Sequence, residues 1–253
     1  MKYIASCSGG RDSAATLIVA KSCGEPLDEV VYCEVMFDRE TSGEVPEHRR
    51  FIYETLKPWV EKELHVPFVI VRSKKTYVDC FSHIISKGPA AGKIHGFAIP
   101  RMCLINRDCK MPPIRAYWKS KGENVTQYIG IEWEEEKRLA RLNPKREVSL
   151  LAKYGITRNR ATELCHEHGL YSPTYEVGKR NGCWFCPNCQ DDEWARLIYK
   201  HGELFDKLVD LEKGAPDRYR QCLTINETPT QIKSRILGYG EQLRFEDLME
   251  GCR

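Results

Sequence analysis

The sequence lacks long apolar runs. Its most apolar stretches, such as Glu29 to Phe37, are interrupted by charge and fall far short of the ~20 residues that a bilayer span needs. Met1 to Ser6 leads straight into a glycine loop, without an apolar leader or a cleavage site, so the expected location is the cytoplasm. No internal repeat and no low-complexity segment occurs, which excludes solenoids and arrays. Net charge is also small. Lys and Arg number 39 against 36 Asp and Glu, leaving +3, which permits contact with a polyanion but does not demand it. Disorder is excluded too, because 42% of residues are hydrophobic and 30% charged. The 253 residues suffice for one large domain, or for a core domain with a smaller appendage.

Cysteine is what the sequence has in plenty, with 12. In a chain without an export signal, such cysteines point to metal ligands or redox groups rather than to a disulfide framework.

Strand and helix signals alternate in the first half. Tyr3 to Ser6, Glu29 to Phe37, Pro67 to Val71 and Val125 to Ile131 are β-branched or aromatic runs that predict strands. Ala14 to Cys23 predicts a helix with Asp12 or Ser13 as its cap, and Pro46 to Glu63 a second with Pro46 near its start. This order predicts an α/β fold, a parallel twisted sheet with helices on both faces, over residues 1–140. Within it, residues 73–123 read as an insertion, and Gly88, Pro89, Gly92 and Gly96 mark part of it as a mobile loop. From 141 to 253 short helices dominate: Arg158 to His168, Asp191 to Lys200, Leu204 to Glu212, Thr230 to Leu237 and Glu246 to Glu250. This portion carries Cys183, Cys186 and Cys189.

Ser8-Gly9-Gly10-Arg11-Asp12-Ser13 sits between the first strand and the first helix. Paired glycines let the backbone approach an anion closely. The helix behind them offers free N–H groups and the positive end of its dipole. Ser8 and Ser13 supply hydroxyl donors and Arg11 a cation. The segment therefore reads as a phosphate or pyrophosphate site at the carboxyl end of the first strand, where open α/β sheets bind ligands.

Directly after an N-terminal strand, this segment resembles the signature of the PP-loop ATP pyrophosphatases. It differs from the Walker motif, having no Gly-Lys-Ser/Thr ending. Other pieces resemble the phosphoadenosine phosphosulfate (PAPS) reductase branch. Asp38, followed by Glu44-Val45-Pro46-Glu47-His48, is similar to that branch's Asp-Thr-Gly…Phe-Pro-Glu-Thr segment. Gly130 to Arg138 is similar to its Gly-Ile-Arg-Ala-x-Glu-x-x-Arg, with Gly130, Glu135 and Arg138 in register and Glu132 where an arginine stands. Pro173 through Cys186 resembles its Arg-x-Gly-Cys-x-x-Cys-Pro stretch. The likeness covers roughly residues 1–215. It implies an enzyme that uses ATP with Mg²⁺, adenylates an acceptor oxygen and releases pyrophosphate. It also implies nucleotide contacts from Ser8 to Ser13, Asp38, Gly130 and Arg138, with Arg11, Asp12 and Arg138 closest to the chemistry. True PAPS reductases instead carry a Ser-rich loop and a Glu-Cys-Gly-x-His tail, whereas this chain ends Glu250-Gly251-Cys252-Arg253.

Cys183, Cys186 and Cys189 form C-x2-C-x2-C, the spacing that holds 4Fe-4S clusters in ferredoxin-type sites with a fourth cysteine from elsewhere. A C-x2-C pair is also half of a zinc site. Upstream, Cys103 and Cys109 precede Lys110 in a segment resembling the branch's Cys…Lys-x-x-Pro-Ile. In adenylylsulfate reductases a cysteine pair there joins a later C-x2-C around an iron–sulfur cluster. Either Cys103 or Cys109 can then complete the set, around a 4Fe-4S cluster or, alternatively, Zn²⁺. Lys110 faces the nucleotide, the cluster or solvent. Trp184 and Phe185 shield the cysteines or belong to an ordinary core. Cys7, Cys23, Cys33, Cys80, Cys165 and Cys222 read as small core residues, and His166 and His168 as the polar face of a helix.

The acidic run Glu132 to Glu136 suits Mg²⁺ or a solvated face, and Asp12 is the nearer carboxylate for the metal. Lys74, Lys75, Arg141, Lys145, Arg146, Arg158, Arg160, Lys179 and Arg180 are candidate phosphate contacts or solvated surface. Three readings follow. The first is ATP-dependent adenylation of a small-molecule or nucleic-acid acceptor, followed by sulfur transfer assisted by an iron–sulfur cluster and served by a donor or reductant protein. The second is a thiol-dependent adenylylsulfate or PAPS reductase using Cys252. The third is a nucleotide-binding accessory protein with structural zinc. The resemblance also implies a homodimer.

Overall fold

The computed structural model describes the chain except residues 99, 101, 123, 177–181 and 239–253. Strand β1 (Lys2–Ser6) is central in a five-stranded sheet of order β3-β2-β1-β4-β5. The others are β2 (Glu29–Cys33), β3 (Phe68–Val71), β4 (Val125–Ile129) and β5 (Glu147–Val148). Every pairing is parallel, as at Ala5↔Val30, Ala5↔Tyr128, Val31↔Val69 and Tyr128↔Val148. The α/β class expected from the alternation is the class observed. β5 is an addition: Glu147–Val148 is too short to signal a strand and becomes one by pairing with β4. β2 ends at Cys33, short of Phe37, because Val35 and Phe37 leave the sheet for a second core.

The chain runs β1, β2, β3 to one side and then returns to place β4 on the other side of β1. That reversal makes the carboxyl ends of β1 and β4 the switch point of the sheet, the usual ligand position in such folds. Helix α1 (Arg11–Ser22) starts there, at Arg11 rather than Ala14. Its cap residue is Gly10, without a side-chain cap, and Asp12 lies in its first turn.

Helix α2 (Pro46–Phe51) continues through π turns at Ile52–Leu56 and Val60–Leu64, with Lys57–Trp59 between them, and stops at left-handed His65. Pro58 explains the irregularity. It has no N–H to give and its ring crowds the preceding turn, and widened turns relieve both. The predicted insertion contains α3 (Tyr77–Phe81) and α4 (Met111–Ser120). α4 packs on β2 and β3 as the crossover helix to β4. The glycine-rich stretch between them folds back through the bridge Ile84↔Ile94 and is tied to Arg220 at Gly96.

Later helices are α5 (Glu136–Leu139), α6 (Leu150–Lys153), α7 (Arg158–Glu167), α8 (Asp191–Lys200) and α9 (Gly202–Gly214). Residues 229–238 are also helical. The helix expected at 246–250, and Cys252, lie outside the described residues, as do Lys179 and Arg180.

Buried side chains gather in two clusters that do not follow chain order. The first joins the sheet to α1, α2, α6 and α7, so Leu150, Leu151, Ala161 and Leu164 pack with Leu17 and Ile18. α1 is accordingly buried on all sides from Ser13 to Ala20. The second joins Val35, Phe37, Tyr77, Phe97 and Cys109 to Trp184, Phe185, Trp194 and Phe205. Of the cysteines expected inside, Cys7, Cys33 and Cys165 are buried, Cys80 and Cys222 are partly so, and Cys23 is exposed beside the end of α1. No helix among the described residues is long and apolar enough to cross a membrane.

Candidate functional site

The glycine loop is held by a near-complete set of internal bonds. Gly9 has φ +73°, and a Cβ there would lie 2.9 Å from Ile52 Cγ1 and 3.0 Å from His48 Cε1. Gly130 is equally constrained from the other side of the switch point. A Cβ on it would lie 2.7 Å from Ser13 N and 2.8 Å from Asp12 C, so the end of β4 is pressed against the first turn of α1. Ser8 N–H donates to Ser13 Oγ (3.2 Å), and Ser13 Oγ donates to Gly10 O (2.8 Å). A hydroxyl has one proton, so the Ser13 proton shapes the loop in this state.

A buried histidine supports the loop from behind. His48 Nε2 lies 3.0 Å from the Ser8 carbonyl and Nδ1 lies 2.8 Å from Ser172 Oγ, which lies 2.9 Å from Thr174 Oγ1. A carbonyl only accepts, so Nε2 carries the proton and Nδ1 accepts from Ser172. Tyr175 Oη accepts the Arg11 N–H at 3.2 Å. Residues 172–175 thus clamp a loop more than a hundred positions earlier. His48 and the 172–175 stretch lie within segments that the sequence singles out, but nothing in the sequence pairs them.

The charges at the switch point form a chain. Arg11 Nε lies 2.8 Å from Asp12 Oδ1, its Nη2 bonds Glu132 Oε1, and Arg158 Nε lies 3.6 Å from the same oxygen. Glu132 is buried, and burial and the adjoining Asp12 raise its pKa. The acidic residue at a position where the resembling family has arginine is therefore a counter-ion for the loop's own arginine. Arg138 is engaged elsewhere. It is half exposed and its Nη1 bonds both Glu135 carboxylate oxygens, at 2.7 and 2.6 Å. Asp38 accepts from Glu40 N (2.9 Å), Thr41 N (2.6 Å), Thr41 Oγ1 (3.0 Å) and Lys207 Nζ (2.9 Å). Against the upward push of burial, Lys207 and the Thr41 and Glu40 amides hold its pKa at about 2. Those contacts tie the 38–41 turn to α9, not to the glycine loop.

A cavity of about 190 Å³ runs from Ser8 and His48 to Cys103, Cys183 and Cys186, with Lys110 and Glu44 also in its wall. The turn bearing Cys183 and Cys186 is fixed just before α2. Cys183 bridges Glu44, Trp184 N–H donates to Gly43 O (3.0 Å), and Trp184 Nε1 donates to Ser42 O (2.8 Å). Trp184 and Phe185 are 2% and 1% exposed and pack on Phe37 and Tyr77. Burial and Glu44 push the Cys183 thiol up, so its thiolate needs a cation or metal beside it.

The structure separates the two upstream cysteines. Cys103 lines the cavity, whereas Cys109 is buried with its Sγ 3.6 Å from Cys80 Sγ. Cys189 lines a neighbouring crevice together with Cys183, His48, Glu193 and Arg196, and its N–H donates to Cys186 O at 3.0 Å. Among the described residues, no three His, Cys, Asp or Glu side chains are close enough together to hold one metal ion.

Strand order defines a parallel α/β protein, and the glycine loop at the end of its central strand borders a thiol-lined cavity. No family model matches the chain, and no curated protein does. Among solved structures it is similar to the U34-tRNA thiolase NcsA from Methanococcus maripaludis with its 4Fe-4S cluster. The match covers 96% of this chain and 71% of that one, at 17% identity and a TM-score of 0.41, a level that says nothing about activity.

Proposed function

We propose that this chain is an adenylating enzyme of the PP-loop type that transfers sulfur to a nucleophilic acceptor. The carrying observation is the shared cavity. Ser8 of the glycine loop and the thiols of Cys103, Cys183 and Cys186 face the same space, so nucleotide and sulfur chemistry are adjacent.

The loop and the N-terminus of α1 bind the β- and γ-phosphates of ATP with backbone N–H groups. His48 keeps the Ser8 carbonyl turned back, which holds the loop open toward the switch point. Arg11 leaves Glu132 to meet the departing pyrophosphate, where a positioned cation stabilises the growing charge. Asp12 and Glu132, relieved of Arg11, are the carboxylates that would hold Mg²⁺, which neutralises the phosphates. An acceptor oxygen attacks the α-phosphorus, the bond to pyrophosphate breaks, and an adenylate forms. A sulfur nucleophile then displaces AMP.

Cys103, Cys183 and Cys186 would hold an iron–sulfur cluster. All-thiolate donors select soft metals. Such a cluster supplies sulfur-binding or electron-transfer chemistry beside the nucleotide.

The test is anaerobic purification followed by iron, zinc and acid-labile sulfide analysis. About four irons with as many sulfides, lost in Cys183→Ala and in Cys186→Ala, are expected. In parallel, ATP with thiolation acceptors should release pyrophosphate and PAPS should not be turned over. Zinc without sulfide, or no pyrophosphate release with any acceptor, would overturn the reading.

A further inference from the structure

A second cavity, of about 610 Å³, lies between α4 and strands β4 and β5. Val125 and Gln127 line it, whereas Gly130, just past the far end of β4, abuts α1 at the switch point. At ~3.3 Å per residue the two places are about 16 Å apart along the strand.

The walls of this cavity are cationic. Arg115 and Lys119 stand one turn apart on α4, and Arg146 directly precedes β5. None of these three side chains is in an ion pair among the described residues. Other cations singled out in the sequence are already engaged: Arg138 with Glu135, Arg158 with Glu132, and Arg160 with Glu163 and Glu167. Glu147 is the carboxylate in the lining, and its Oε2 accepts the Asn143 N–H at 2.7 Å. Trp118 lies between the two α4 cations, half-buried. Its indole N–H is shut off from solvent and has no acceptor. Buried donors are seldom left so.

We propose that this cavity binds an unpaired stretch of nucleic acid, with a base against Trp118 and its phosphates on Arg115, Lys119 and Arg146. Unpaired cations suit phosphodiesters. An indole face stacks on any base. A simple inorganic anion has no use for the ring, and an apolar ligand none for the cations. A paired duplex cannot bring a base face to a half-buried ring. The inference goes beyond adenylation and is tested without turnover.

The experiment is fluorescence anisotropy of a labelled mixed-sequence 12-mer RNA with the full chain, across a salt series. The neutral variant R115Q/K119Q/R146Q replaces exposed side chains, so its fold should hold. It should bind at least tenfold more weakly, and its salt slope should fall by about 2, at ~0.7 per phosphate contact. Trp118→Ala should weaken binding about tenfold, and Trp118→Phe, which keeps the ring face, only a few-fold. Three results would overturn the proposal: no saturable binding, an unchanged salt slope in the neutral variant, or a heparin fragment bound as tightly as RNA and indifferent to Trp118→Ala. Binding of Mg–ATP, followed separately, reports on the loop. Loss of that binding alone counts against the adenylation reading and leaves the strand site standing.

Discussion

Gly9 shows how little freedom a single position has at this site. It combines a positive φ with a Cβ direction that points at Ile52 and His48. Gly9→Ala therefore adds roughly 1–2 kcal/mol of backbone strain and displaces the loop. Nucleotide titration should show at least a tenfold loss of ATP affinity, with a lowered unfolding midpoint. His48→Ala is expected to act differently. It strands the Ser8 carbonyl and the Ser172 hydroxyl, costing about 1–3 kcal/mol by urea unfolding. A glutamine there, which keeps a donor, should recover part of that.

Acid sensitivity also belongs at the residue scale. Glu34 is fully buried and bonds Arg49 Nε at 2.8 Å, Arg72 Nε at 2.9 Å and Tyr53 Oη at 2.8 Å. Against the upward push of burial, these partners depress its pKa to about 2 from an ordinary 4.5. A depressed carboxylate stabilises the fold above its unfolded pKa. That contribution, roughly 3 kcal/mol at most, is lost as pH falls from about 4.5 to about 2. Equilibrium unfolding across this window should show a shallower acid limb in Glu34→Gln, which should also be less stable at neutral pH.

Among the elements, the turn carrying Cys183 and Cys186 matters most. Alone it is a few residues of loop. Its position comes from Trp184 and Phe185, inserted among Phe37 and Tyr77, and from its bonds to residues 42–44. Trp184→Ala should cost about 3–5 kcal/mol and lower bound iron in anaerobically purified protein. Trp184→Phe keeps the ring contacts but leaves Ser42 O without its donor, so about 1 kcal/mol is expected with iron retained. α2 is readable because proline begins it. Its π turns are not, because they depend on how the chain absorbs Pro58.

For the whole molecule, the packing sets the boundaries. α1 needs Leu150, Leu151, Ala161 and Leu164 to cover its outer face. A fragment ending at residue 140 should expose that face and fail to fold, seen as weak far-UV dichroism and rapid proteolysis. The second core likewise draws on residues 35–45, 77–109 and 184–236. The thiol cavity lies where these stretches meet the first core, which brings chemistry from distant parts of the chain to one place.

The sequence by itself determined the α/β class, the place of the glycine loop and the concentration of thiols at 183–189. Those features are local: strand periodicity, paired glycines before a helix, and C-x2-C spacing are each set within a dozen residues. Only the tertiary structure decided that Glu132 holds Arg11, that His48 and Ser172 brace the loop, and that Cys103 faces Cys183 while Cys109 turns to Cys80. Each of these is a pairing across long sequence separation. Side chains of the right type occur many times in the chain, and burial and distance alone choose among them.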